Sequence, residues 1–321
     1  MQRGTGEKAF PTVDEARSPM SLPETSTTAA PSLESHAMQC MELIGGNRIV
    51  RRALSAPGLE VWLESRPFEG DAGGDVHYFS ICGSGRVTRL AIADVSGHGQ
   101  PVDQTALWLR GLMRKHINLL DQTGFARAIN KEFTAGAHKS TFATALLMTY
   151  YAPTDHLIVC NAGHPRPLWY DSRFKRWKWL DPTVPDPGPS IREAKGTYRL
   201  RPVRNLPLGV LEPMAYQQFT VKLSEQDLVL VYTDGLTEAR NRSSELLGED
   251  GLLRFVHEIT PSDPERIGAE LLEKIDTWRD GQPPDDDQTL IVLRQNGSDP
   301  PRPTLRTALR VMTRLIGLKE I

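Results

Sequence analysis

Short apolar runs alternate with amphipathic segments along most of this chain, and that alternation restricts it to folds in which sheets are covered by helices. Strand-like runs fall near 87–93, 142–151, 156–160, 228–233 and 289–293. Helical periodicity marks 102–119, 123–134 and 264–279. The first of these places Ala106, Leu109, Met113, Ile117 and Leu120 on one face, and the last does the same with Ile267, Leu271, Ile275 and Trp278. Ser262, with Glu265 three positions later, supplies a capping box for the last helix. The expected class is α/β or α+β, with helices on the outer faces of the sheets.

The 321 residues are 39% apolar and 24% charged, enough to bury a sizeable core. Residues 1–37 are rich in Ser, Thr, Pro and Glu and poor in branched apolar side chains, so they read as a disordered tail. From 38 to 57, Met38, Met41, Ile44, Ile49, Val50 and Leu54 suggest a helix softened by Gly45-Gly46, either covering the core or serving as a dimer or regulatory element. The main domain is expected over 58–295. Within it, the stretch from Tyr170 to Leu206 is dense in Pro, Gly, Arg and Trp and reads as a long loop, either a substrate-recognising flap or a surface excursion with its tryptophans tucked against the sheet. A linker and a basic amphipathic helix, Thr304 to Lys319, close the chain. That helix could pack on its own domain, dock on a partner or second subunit, or lie on an anionic membrane surface.

With 38 basic against 40 acidic residues, the net charge of −2 gives no global field for nucleic acid. No run of eighteen apolar residues and no signal-peptide core is present, so a cytoplasmic protein without an integral membrane segment is expected. Cys40, Cys82 and Cys160 have no paired or zinc-like spacing, which fits free thiols in a reducing compartment.

The chemistry resides in aspartates beside glycines at the ends of strand-like runs: Gly73-Gly74-Asp75, Asp94-Val95-Ser96-Gly97-His98-Gly99, Thr233-Asp234-Gly235, and Asp285-Asp286-Asp287-Gln288-Thr289. Strand ends hold side chains rigidly and glycine permits close approach, so such acids can converge on a hard cation. Carboxylates without clustered His or Cys favour Mg²⁺ or Mn²⁺ over zinc, and two such ions can activate a water for attack on phosphorus. Each motif alone is an ordinary turn or solvated acidic run; together they are not.

In order, Gly73-Gly74-Asp75, Ala93-Asp94-Val95-Ser96-Gly97-His98-Gly99, Thr141-Phe142-Ala143-Thr144-Ala145, Asn161-Ala162-Gly163-His164-Pro165, Leu206-Pro207-Leu208-Gly209-Val210, Tyr232-Thr233-Asp234-Gly235-Leu236-Thr237-Glu238-Ala239 and Asp286-Asp287-Gln288-Thr289 resemble the motifs of the SpoIIE/RsbU branch of the PPM (PP2C-like) phosphatases. The resemblance implies an α+β, four-layer αββα fold of two stacked, mainly antiparallel sheets. It implies a protein serine/threonine phosphatase using two Mn²⁺ or Mg²⁺ ions. Asp94 would bridge the ions, the Val95 carbonyl would bind one, Asp234 and Asp286 the other, and Asp75 would act directly or through water. Asp285 and Asp287 would be solvated. The implied partner is a phosphorylated signalling protein, such as a STAS-type anti-sigma factor antagonist, with a regulatory partner or homodimer in control.

Two features depart from simple transfer. Eukaryotic PP2C enzymes carry a His two residues after the bridging Asp, where this chain has Ser96, with His98 lying four after. The Asn161 to Pro165 motif reads as a structural turn. Separately, Cys160 to Arg166 matches the spacing of Cys-dependent phosphatases, but Pro165 removes a phosphate-binding N–H and the segment continues as extended chain rather than helix. A partner-binding protein that retains the fold without catalysis is the non-enzymatic alternative.

Overall fold

The computed structural model describes residues 40–82, 85–97, 100–119, 121–137, 141–181 and 205–298. The described chain opens with β1 (Cys40–Arg48), β2 (Val50–Ala56), β3 (Leu59–Arg66), β4 (Ala72–Cys82) and β5 (Val87–Val95). Helices α1 (Gln100–His116) and α2 (Gln122–Gly136) follow, then β6 (Ala143–Tyr151), β7 (His156–Ala162) and the hairpin β8 (Leu168–Asp171) and β9 (Arg176–Trp179). The last part holds β10 (Phe219–Lys222), β11 (Leu228–Tyr232), α3 (Asp234–Thr237), α4 (Gly248–Glu258), α5 (Pro264–Arg279) and β12 (Gln288–Gln295).

Two six-stranded sheets result, ordered β1-β4-β5-β6-β7-β10 and β2-β3-β12-β11-β8-β9, with antiparallel neighbours throughout. Three buried layers separate four layers of structure. On the first sheet, Leu109, Met113, Ile129 and Phe133 of α1 and α2 meet Val76, Ala91, Ala93 and Leu147. Between the sheets, Ile92, Leu146 and Met148 meet Val229, Val231 and Ile291. On the second sheet, Leu252, Val256, Ile267, Leu271 and Ile275 of α4 and α5 meet Trp62, Leu230, Tyr232 and Val292. The fold is the expected α+β sandwich, helix–sheet–sheet–helix.

The five expected strands and three expected helices are present. The expected helix over 38–57 is not: residues 40–56 form β1 and β2, one edge strand of each sheet. Pairing of β1 with β4 and of β2 with β3 satisfies this backbone from outside, and Gly45-Gly46 is tolerated in a ladder with register shifts at Glu42/Ile44 and Gly46/Arg48. The cap of α5 is Asp263, which accepts the Arg266 N–H at 2.9 Å, rather than Ser262. Part of the expected long loop is the β8–β9 hairpin, and Trp177 is buried against Tyr170 in the outer core layer. Cys82 is disulfide-bonded, and Cys40 stands opposite it in the β1–β4 ladder, so the expectation of free thiols fails for Cys82. No helix among the described residues is long and apolar enough to cross a membrane. The expected tail, His98 and the helix at 304–319 lie outside the described residues.

Helix α5 approaches β3 closely because Gly268 faces Trp62; a Cβ on Gly268 would lie 2.1 Å from the indole ring. Trp62 is fully enclosed and cannot move aside. Overpacking costs about 1–3 kcal/mol, whereas Ala is favoured over Gly in a helix by only about 1 kcal/mol. Gly268→Ala is therefore expected to destabilise the protein, read as a lower denaturation midpoint in urea; a raised midpoint would show that the contact is loose.

Candidate metal-binding active site

The side chains of one sheet face alternate in register, so the composition of the inter-sheet space can be followed pair by pair. Ile92 and Leu146 line this space with Val231 and Ile291 opposite. Two residues further along the same faces stand Asp94, Thr144, Thr233 and Thr289. Asp75 is directly across from Asp94, and Asp94 is directly across from Thr144. The sandwich interior thus changes from apolar to acidic and hydroxylic within one strand repeat at one end.

Each expected acid sits at this end. Asp75 lies near the start of β4 and is almost fully buried; Asp94 and Val95 end β5. Asp234 is the first residue of α3, where the helix start favours a carboxylate. Asp286 lies in the loop before β12, accepting its neighbour's N–H, Asp287, at 2.8 Å. Asp75 is fixed across the sheets: the Thr233 hydroxyl donates to its Oδ2 at 2.8 Å, while Thr233 Oγ1 accepts the Thr289 N–H at 2.9 Å. The Thr289 hydroxyl in turn pairs with Ser65 at 2.9 Å.

The expectation that Asp287 is solvated is overturned. Its carboxylate is buried, with Oδ1 accepting the Phe68 N–H at 2.6 Å and Oδ2 accepting the Gly74 and Asp75 N–H groups at 2.5 and 3.3 Å. Asp287 therefore clamps the β12 entry to the β4 entry and so sets the height of Asp75. The motif glycines serve this clamp: a Cβ on Gly73 would lie 2.1 Å from the Asp287 carboxylate, and one on Gly235 would lie 2.0 Å from its backbone carbonyl. Asp285 is exposed, 3.6 Å from Arg240.

Electrostatically the site is a set of acids held against their preference. Burial and the neighbouring Asp94 raise Asp75 well above the usual carboxylate range. Burial, with Asp234 and Asp286 next in effect, raises Asp94 to about 7. Asp234 and Asp286 are both shifted upward, chiefly by burial. Among the described residues no three His, Cys, Asp or Glu side chains already form a metal cage. The donor set nevertheless fits a hard divalent cation: all its members are oxygens, and the Val95 carbonyl faces Gly74, where a Cβ would meet it at 3.0 Å. A cleft of about 430 Å³ opens beside them, lined by Glu69, Asp71, Gly73, Gly74, Asp103 and Asp286 among others. A larger groove of about 760 Å³, between β1 and α1, contains none of the four acids.

Other candidates are resolved by burial. Cys160 is wholly enclosed in the layer under α1 and α2, and burial pushes its thiol up to about 12, which removes it as a nucleophile. Arg166 is occupied by Glu249 and the Trp179 ring. Ser96, at the offset of the eukaryotic His, has its hydroxyl engaged by the Phe142 N–H at 3.1 Å. Thr233, Thr289 and Asp287 were missed from the sequence; the period-two register that brings Thr233 to Asp75 was present in it, but the pairing of the sheets was not.

Against known proteins, residues 84–185 and 184–296 match the family described as Stage II sporulation protein E (SpoIIE). Phosphoserine phosphatase RsbU of Bacillus subtilis is 26% identical over 211 residues, which is 64% of this chain and 55% of RsbU, so the chain spans little more than half of that relative. The RsbU and RsbW domains of a Mycobacterium tuberculosis protein superpose with a TM-score of 0.59 at 22% identity, covering 85% of this chain and 69% of that one. The PP2C phosphatase domain of Bacillus subtilis SpoIIE, with a fragment of its regulatory domain, gives 0.59 at 17% identity over 78% and 71%. RsbX in complex with magnesium gives 0.51 at 14% identity over 76% and 99%. With the family match covering most of the sandwich, the chain belongs to the SpoIIE family, and its fold is that of the PP2C phosphatase domain of SpoIIE.

Proposed function

We propose that this chain is a divalent-metal-dependent protein phosphatase that hydrolyses phosphoserine or phosphothreonine in a signalling protein. The observation that carries this reading is the gathering of Asp75, Asp94, Asp234 and Asp286 close enough to act on one another, beside a cleft that Asp286 lines and that has no basic side chain among its described lining residues. Such a cleft repels a phosphate dianion, so binding one requires cations to reverse the local charge. Asp75, Asp94, the Val95 carbonyl, Asp234 and Asp286 would hold two Mn²⁺ or Mg²⁺ ions. When bound, these supply Lewis-acid activation of water and neutralise the phosphoryl oxygens. The chain's own work is positional: Thr233 orients Asp75, Asp287 fixes the β4 entry, and the strand ends keep the acids from relaxing apart. RsbX, a magnesium complex of the same fold, and the name of RsbU support the metal and the phosphoserine class respectively.

Hydrolysis of p-nitrophenyl phosphate and of phosphoserine peptides is expected only with Mn²⁺ or Mg²⁺. Asp94→Asn or Asp234→Asn should lower turnover by about two or more orders of magnitude, while Cys160→Ser retains most of it. Full activity in excess chelator, or loss with a folded Cys160→Ser protein, would overturn the mechanism. A protein that binds Mn²⁺ yet hydrolyses nothing would be the non-catalytic scaffold.

A second expectation concerns pH. Asp94 is raised in the fold to about 7 from an ordinary value near 3.8, so the native state binds the extra proton. Stability of the metal-free protein is then full below about pH 4 with respect to this group and is lost as pH rises towards 7. Asp94→Asn removes that penalty: it should raise the melting temperature of the metal-free protein at pH 8 and leave it little changed at pH 4. An equal shift at both pH values would show that ionisation is not the cause.

A further inference from the structure

The Asn161-Ala162-Gly163-His164-Pro165 segment contributes none of the acids described above, yet its geometry is built around one side chain. It leaves the end of β7 as a turn in which the Asn161 side chain accepts the His164 N–H at 2.8 Å and donates to the His164 carbonyl at 2.9 Å. Gly163 takes a left-handed φ of 75°, and a Cβ there would lie 2.6 Å from the Pro207 ring, so only glycine fits. The carboxamide and the glycine thus fix the backbone on both sides of His164 and leave its imidazole one direction.

That direction is into the acidic end of the sandwich. His164 is 4% exposed, and its Nδ1 lies 2.8 Å from the Thr144 hydroxyl. Thr144 is the residue directly across the ladder from Asp94. Nε2 has no partner of hydrogen-bond geometry among the described residues, although the Tyr232 backbone of the second sheet is near enough to act on the ring electrostatically. Tyr232 immediately precedes Thr233, which holds Asp75, and Asp234. Burial pushes the imidazole down to about 3, so near neutral pH it carries no charge into this anionic region and is no proton donor.

Resting on the metal-site reading above, we propose that His164 is a positioning residue for the cation site: through Thr144 it braces the Asp94 strand at the acidic end of the first sheet. The brace acts at the place where repulsion from the other acids would otherwise displace the Asp94 strand. A neutral ring suits the task, because a cation there would compete with the metal and a carboxylate would add to the repulsion. Polar groups one shell behind metal ligands typically change affinity by about 10–100-fold when removed, because they restrict ligand orientation.

The test is calorimetric titration of metal-free protein with Mn²⁺, beside melting temperatures and kcat and KM for p-nitrophenyl phosphate, for His164→Leu, His164→Gln, Thr144→Val and the His164→Leu/Thr144→Val double variant. His164→Leu keeps the packing volume and loses the polar contact. It should weaken Mn²⁺ binding by about tenfold or more, with KM at saturating metal unchanged. Thr144→Val should reproduce the loss, and the double variant should add little to either, since both break one link. His164→Gln, which can still bond Thr144, should recover most of the affinity. Unchanged Mn²⁺ affinity in folded His164→Leu, or multiplicative losses in the double variant, would overturn the proposal; should His164→Leu fail to fold, unchanged affinity in Thr144→Val would do so alone. Wild-type protein that binds no Mn²⁺ would instead overturn the metal-site reading itself.

Discussion

Mutual repulsion among four carboxylates is the constraint around which the rest of the molecule is arranged. Left to themselves, Asp75, Asp94, Asp234 and Asp286 would move apart into water; the fold instead buries them, which is the first cause of their upward pKa shifts, with neighbouring carboxylates adding to it. The acids are restrained by origin rather than by contact with one another. Two sit on neighbouring strands of one sheet, one begins a short helix after a strand of the other, and one lies on the loop entering the adjacent strand. Flexible loops alone would let the charges relax, and the affinity for a cation would fall by the cost of bringing them together again.

The restraint comes from immediately behind the site. Ile92, Leu146, Val231 and Ile291 are almost fully buried one strand repeat inward, and each such side chain contributes about 1.5–3 kcal/mol by leaving water. That apolar layer sets the spacing of the sheets. The hydroxyl chain of Ser65, Thr289 and Thr233 then converts spacing into orientation, because its last member donates to Asp75. Asp287 performs the corresponding service for the β4 entry with three backbone N–H bonds. A carboxylate so fully engaged by backbone donors is spent on structure, which is why two adjacent aspartates, Asp286 and Asp287, have opposite tasks.

What the sequence disclosed and withheld follows from the range of the interactions involved. Strands β5, β6, β7, β11 and β12 and helices α1, α2 and α5 were legible because their own apolar period announces them. β1 and β2 were not, because nothing local in Cys40 to Ala56 outweighs a helical reading; pairing with β4 and β3 decides the matter, and that is long-range. The same distinction separates Asp94, visible in its motif, from Asp287, whose backbone partners lie more than two hundred residues earlier in the chain. It also separates the cysteines: Cys82 faces Cys40 only through the ladder, so spacing along the chain said nothing about it.

Burial, rather than residue type, finally assigns chemistry to the segment from Cys160 to Arg166. By spacing it is a nucleophile-and-arginine loop; by residue identity it offers a thiol, an imidazole and a guanidinium. In place, the thiol is closed beneath two helices, the imidazole is held neutral against Thr144, and the guanidinium is taken by Glu249 and Trp179. None of the three is among the residues lining the cleft. The segment instead joins the first sheet to the second at the end where the acids gather, and its three reactive-looking groups are accounted for by packing, bracing and pairing. A catalytic reading of a short motif therefore stands or falls on whether its groups are free to meet a substrate, and in this segment the thiol and the imidazole are buried while the guanidinium is paired.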